Sequence, residues 1–311
     1  MWLQRFTNYL LKHRWQTVLL TFLITLVPII GIVGILIAAL VTLVEGILTG
    51  TILTIAATLP YFISFYVSSN PQGNIPLVVW AAVGVAVLSN LLTYIFAILL
   101  RRHTSWSIIL QTAALLGVLV VSVIHLVYPG VADWWASQLQ SYYNQAQTVV
   151  GGAVKGLPTF SNEAQLEAIN ITKDYATGLM MAAILFNAIL QLIVARWWQA
   201  IVFHPGSLQK ELHQIRLSQL AGVLFIASIL FSYLGNLVVL DIMPILYLLF
   251  GTAGLSLIHY LFGKMKSQTA WFWLMIAYLA IIFAFPTSIV LIAMVALFDI
   301  WLDFRKRLVK I

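Results

Sequence analysis

Apolar runs longer than the roughly 18 residues that flag a membrane span recur from Trp15 to Trp301, broken by short polar or basic stretches. Regular spans are predicted near 75–100, 105–128, 176–198, 217–236 and 243–262. The two ends of the chain are less regular. Pro28 and the Glu45-Gly46 pair divide the early apolar sequence into segments near 15–27, 29–44 and 47–67, and Pro286 divides the stretch after Lys266. Several of these segments hold about 16 residues or fewer, which is about 24 Å of helix against a hydrocarbon core of about 30 Å. The expected fold class is all-α: a polytopic helical membrane protein of about ten crossings, with short or broken helices at both ends. A count of about eight, with one terminal hairpin re-entrant, fits the same pattern equally well. Residues 1–311 are expected to form a single integral membrane domain.

The polar breaks set the orientation. Of the sixteen Lys and Arg residues, all but Lys155 and Lys173 fall near the amino terminus or in the clusters Arg101-Arg102, Arg196/Lys210/Arg216, Lys264/Lys266 and Arg305-Lys306-Arg307/Lys310. Loops on the cytoplasmic side carry the excess of Lys and Arg, so these clusters and both termini are expected on the cytoplasmic face of a bacterial inner membrane. The basic flank Arg5, Lys12 and Arg14 leads into hydrophobic sequence that continues to Phe65, so the beginning reads as a retained first helix, not a cleaved leader.

Residues 129–175 carry Asp133, Glu163, Glu167 and Asp174 against only two Lys, and are expected outside as an extracytoplasmic amphipathic connector. Val131, Trp135, Leu139, Tyr142, Ala146 and Val149 recur there at steps of three and four, the period of a half-buried helix. Gly151-Gly152 and Gly156-Leu157-Pro158 are expected to interrupt it, and Ser161-Asn162-Glu163 to start a second helix leading into the span at 176. A connector lying on the membrane surface and a lid over an outward cavity both fit this pattern.

Composition then removes whole classes of function. The net charge of +7 would point to nucleic acid in a soluble domain, but with 62% hydrophobic and 8% charged residues the basic groups are span-flanking, and no nucleic-acid partner is expected. The lipid bilayer is the expected partner; a membrane protein partner is compatible with the pattern, and no oligomeric state follows from it. With no Cys there are no disulfides or thiol nucleophiles. No nucleophile elbow, zincin, P-loop or dinucleotide fingerprint occurs, and His204, Glu211 and His213 match no zinc spacing, so no enzymatic activity, cofactor or metal is expected.

Small residues at four-residue spacing, Gly34/Ala38/Thr42 and Gly46/Gly50/Thr54/Thr58, mark an internal packing seam. Polar residues at membrane depth are the candidate cavity: Asn90, the Asn187/Gln191 pair, the Ser228/Ser232 stripe that ends at Asn236, and Thr252/Ser256/His259. An unpaired polar group in hydrocarbon costs several kcal/mol, so these faces point at protein or water. His125 stands alone near the outer end of its span, and Asp241 just before Met243-Pro244. Glu45, Arg196, Asp299, Asp303 and Arg305 are expected to be structural charge sites, the two aspartates balanced by the closing Arg305-Lys306-Arg307 run.

Two functions fit. One is a transport or solute-binding membrane subunit of unknown substrate, whose polar stripes converge on a cavity. The other is a non-enzymatic membrane scaffold that organises cell-envelope partners, motivated by the lack of an evident charge pair at membrane depth.

The order of features resembles a known family. The Pro28-led small-residue segment, the Glu45-Gly46-Ile47-Leu48-Thr49-Gly50 turn, the external amphipathic connector, the Arg196 to Arg216 basic loop and the closing Phe298-Asp299-Ile300-Trp301-Leu302-Asp303-Phe304-Arg305-Lys306-Arg307 resemble the DUF2232 (YybS-like) bacterial membrane proteins. That family looks remotely similar to the substrate-binding S-components of energy-coupling-factor transporters, which implies a role in solute capture. Where those often show Ala-x-x-x-Ala in the first helix, this chain has Gly34, Ala38 and Thr42.

Overall fold

A computed structural model describes residues 2–27, 29–68, 77–153, 162–264, 269–284 and 287–307, and among these no strand is present. In chain order the helices are α1 (Trp2–Lys12), α2 (Arg14–Thr25), α3 (Ile32–Val44), α4 (Ile47–Ser68), α5 (Leu77–Arg101), α6 (Trp106–Val127), α7 (Val131–Ala153) and α8 (Asn162–Thr172). Then follow α9 (Ala176–Phe203), α10 (Ser207–Leu212), α11 (Gln219–Tyr233), α12 (Leu237–Lys264), α13 (Thr269–Phe283), α14 (Thr287–Leu302) and α15 (Phe304–Arg307). Among the described residues, five stretches are long and apolar enough to cross a membrane: 47–66, 81–101, 106–127, 163–203 and 237–264. Four apolar helices are shorter, at 32–44, 219–233, 272–283 and 287–302, and they lie in the terminal regions and at α11.

The first predicted helix is in fact two. The run Lys12-His13-Arg14 breaks it at His13 (φ −113°, ψ 69°). In α1, Thr7 and Leu10 are buried while Gln4, Arg5, Asn8 and Lys12 are exposed, so this helix is amphipathic where α2 is apolar. Pro28 and Pro286 lie outside the described residues, as do Gly156-Leu157-Pro158.

The chain divides into two compact units, and α6, α9 and α12 each supply residues to both. The first comprises 1–113, 183–218 and 249–311. Its core gathers Leu10, Ile35, Ile37, Ala38, Leu40, Val41, Leu53, Ala57 and Trp198. A 13-residue helix with nine buried positions, α3 sits inside this unit against α2, α4 and α5. Small residues permit that approach. A methyl added at Gly50 would lie 2.1 Å from the Thr42 hydroxyl, and one at Gly34 would lie 2.0 Å from that of Thr25, so the small-residue stripes do form an internal seam. Gly46 takes φ 127° at the α3–α4 turn, a conformation open to glycine, and Arg14 reaches Glu45 there at 3.2 Å. α1 is held by Trp198, whose indole N–H donates to Thr7 at 2.8 Å and whose ring stacks on Phe6.

The second unit comprises 114–182 and 219–248. α7 packs along α8 and the tight turn Lys173–Tyr175. Trp135 donates to Thr177 at 2.9 Å and Gln147 to Gln165 at 2.9 Å. The expected break at Gly151-Gly152 does not occur: α7 runs through both, since glycine weakens a helix by only about 1 kcal/mol and cannot alone end one. At the other end of this unit α11 stops at Gly235 (φ 85°), and the Asn236 side chain then accepts the Val239 N–H at 3.0 Å, capping α12.

Candidate functional site

α5 ends on a left-handed residue. The Thr104 N–H reaches the Leu99 carbonyl at 3.2 Å and the His103 N–H reaches Leu100 at 3.0 Å, with His103 at φ 60°. This is the paired-bond helix stop in which the residue after the cap turns left-handed, a place where histidine is among the few enriched side chains. Ser105 starts α6 two residues later by accepting the Ile108 N–H at 3.4 Å. On the facing side α9 ends at Phe203 and Gly206 (φ 81°) turns the chain into α10. Between these two turns lies a cavity of about 580 Å³, within the usual range for small-molecule sites and contained wholly in the first unit.

Its walls mix apolar side chains such as Leu43, Leu100 and Ile215 with polar ones, two arginines among them. Arg101, His103, Arg196 and His204 line it together with Thr104, Ser105, Ser107, Ser207 and a single acid, Glu211. Arg196 grips both Glu211 oxygens, Nε at 3.2 Å and an Nη closer still, and the buried Trp106 donates its indole N–H at 3.1 Å. Burial of Glu211 works to raise its pKa, but the Arg196 and Trp106 hydrogen bonds and the charges of Arg196 and His204 outweigh it, and the carboxyl is held below the ordinary range. Arg101 meets no carboxylate among the described residues; its guanidinium donates to the carbonyls of Thr42 and Leu43 at 3.1 and 3.3 Å, closing the end of α3. The Ser207 hydroxyl is buried with no hydrogen-bond partner among the described residues.

The segment 213–218, which supplies Gln214 and Ile215 to the wall, is clamped reciprocally. Arg305 donates to the carbonyls of His213 and Ile215 and lies 3.4 Å from Asp299, which is 3% exposed. Arg216 answers from the other direction, donating to the carbonyls of Asp299 and Ile300 at 3.2 and 3.0 Å and to Asp303 at 3.0 Å. Lys306 joins Asp303 at 3.0 Å. Each arginine thus caps the chain end that holds the other.

The polar residues singled out along the spans lie elsewhere, and none of them lines this cavity. Gln191 accepts from Thr93 at 2.6 Å, on a seam where Ser89 and Thr93 also reach the Ile184 and Ala188 carbonyls. Asn90 approaches Ala57 and Thr58 of α4 at 3.4 and 3.5 Å. Ser256 donates to the Leu212 carbonyl, and His259 bonds its own helix at Leu255 and the Tyr278 hydroxyl at 3.0 Å. Asn187 and Thr252 are half-buried on α9 and α12. Ser228, bonded back to Leu224, and Ser232 belong to the second unit.

One contact between the spans was not anticipated from the sequence. His125 and Asp241, read separately along the chain, form a pair at 2.8 Å within two helices apolar enough to cross a membrane. Asp241 is 1% exposed, and its other oxygen accepts the Gly178 N–H at 2.7 Å. Sequence alone missed this pair because 116 residues separate its members. It also missed the cavity, although the polar run from Arg101 to Ser105 at the end of a span was a usable signal.

These features define the class: an all-helical membrane protein among its described residues, with five stretches there long and apolar enough to span and a cavity at the ends of three of them. Comparison of the chain with family models, curated proteins and solved structures finds no match in any of the three.

Proposed function

We propose that this protein is a solute-binding or transport subunit of a bacterial inner membrane, with the cavity between the α5–α6 and α9–α10 turns as its solute site. The observation that carries the reading is the cavity itself, about 580 Å³ lined by charged and hydroxyl side chains that the fold leaves partly unsatisfied. In this reading the chain crosses about ten times, the short terminal helices included, with both termini and the cavity on the cytoplasmic side, as the basic clusters require. The cavity then opens toward the cytoplasm, and 129–175 lies outside. The resemblance to the DUF2232 family, and through it to solute-capturing S-components, agrees with this assignment. No reaction is assigned to the site.

Native mass spectrometry of the full chain, incubated with a small-molecule extract of bacterial cytoplasm, tests the reading. A bound mass is expected on the natural protein and its loss is expected in Thr104→Trp, which places an indole in the cavity. If no small molecule binds, or if binding ignores Thr104→Trp, the solute site is refuted and a scaffold role takes its place.

A further inference from the structure

Resting on that solute-site reading, we infer that the ligand of this cavity is an anion carrying a phosphate group. The electrostatics favour one sign. Arg196 spends its charge on Glu211, the only acid among the described residues of the walls, and that carboxylate already accepts two guanidinium N–H groups and the Trp106 indole. A cationic ligand therefore meets a carboxylate whose charge Arg196 already balances. Arg101 keeps an unbalanced positive charge, because the carbonyls it touches are neutral.

The hydroxyls favour a ligand with several acceptor oxygens. Ser105 accepts the Ile108 N–H and Ser107 accepts the Arg216 N–H at 3.0 Å, so in both the O–H proton remains free to donate. The Ser207 hydroxyl has no partner at all, and His103 and His204 each offer a ring N–H in one tautomer or the other. A phosphate presents three terminal oxygens and close to two negative charges, which matches several converging donors better than the two oxygens of a carboxylate. The phosphate can belong to a soluble metabolite or to an anionic lipid head group, since the chemistry recognised is the same.

Calorimetric titration of the full chain in phosphatidylcholine nanodiscs with inorganic phosphate tests this. Saturable binding is expected, weakened at least tenfold by Arg101→Gln and severalfold by His204→Gln, and unchanged by Lys210→Gln, an exposed charge outside the cavity. His204→Gln keeps the test valid if Arg101→Gln impairs folding, because the His204 ring is exposed. In phosphatidylglycerol nanodiscs, a tenfold or larger fall in phosphate affinity identifies the lipid head group as the natural occupant. Unchanged affinity identifies a soluble phosphate ester. The inference is overturned if neither phosphate nor phosphatidylglycerol binding responds to Arg101→Gln or His204→Gln. Should a neutral molecule recovered by mass spectrometry bind equally well to Arg101→Gln, the cavity stands as a solute site and the anionic assignment alone fails.

Discussion

Replacing Gly178 by alanine should destabilise the protein more than any other single methyl addition among the described glycines. Built on the present backbone, the new Cβ would fall 1.5 Å from the carbonyl oxygen of Asp241, 2.7 Å from its carbonyl carbon and 3.2 Å from its Oδ1. A carbon and a carbonyl oxygen rest no closer than about 3.3 Å, so α9 and α12 must part locally by about 2 Å. The obstacle is backbone, so no rotamer change can relieve it. Parting also stretches the 2.7 Å bond from the Gly178 N–H to the Asp241 carboxylate, leaving that buried group with His125 alone. Overpacking costs about 1–3 kcal/mol and a hydrogen bond to a charged group about 1.5–3 kcal/mol, against a helix-propensity gain of about 1 kcal/mol for alanine. The net expectation is a loss of about 2–4 kcal/mol. Thermal unfolding in detergent, followed by intrinsic fluorescence, compares Gly178→Ala with Gly84→Ala, whose Cβ would meet nothing within 4 Å. Gly84→Ala should melt at or above the natural protein and Gly178→Ala well below it. Adding Asp241→Ala should give no rescue, because every residue at 241 carries the same carbonyl. Equal melting of the two glycine variants, or rescue by Asp241→Ala, would refute the close helix contact.

Asp299→Ala leaves Arg305 buried without its carboxylate and should lower stability by about 3–5 kcal/mol, whereas Asp303→Ala, at the wetter end of the same clamp, should cost far less; comparable losses in chemical unfolding would show that the two aspartates are not distinguished by burial. Single Cys residues at Gln145 and Gln209, introduced into a chain with no Cys of its own, should react with impermeant reagents from opposite faces of the membrane, Gln209 from the cytoplasmic side. Labelling of both from one face would refute the topology.

The positions of the helices were legible in the residues. Predicted spans near 105–128 and 47–67 became α6 and α4 with ends shifted by two residues or fewer, because a stretch apolar over some 18 residues has few ways to satisfy its backbone other than helix. The amphipathic period of 131–149 specified α7, and the short terminal segments emerged as short helices. What those helices say to one another was not legible. In a soluble protein the apolar face of a helix declares which side is inward, but spans that are apolar all round carry no such mark, and side chains such as Ser256 or Gln191 give no hint of which neighbour they meet. Hence Gln191 found Thr93, Ser256 found the Leu212 carbonyl, and His125 found Asp241. The same limit hid the cavity, where Trp106 and Glu211, 105 residues apart, share one hydrogen bond. Sequence alone settled that this chain is helical and apolar enough to span a membrane, because run length and composition act locally. Tertiary structure decided which charges pair and where a solute-sized space remains, because both depend on which helix faces pack together, and an evenly apolar pattern leaves that choice to close contacts at small residues and hydrogen bonds between distant segments.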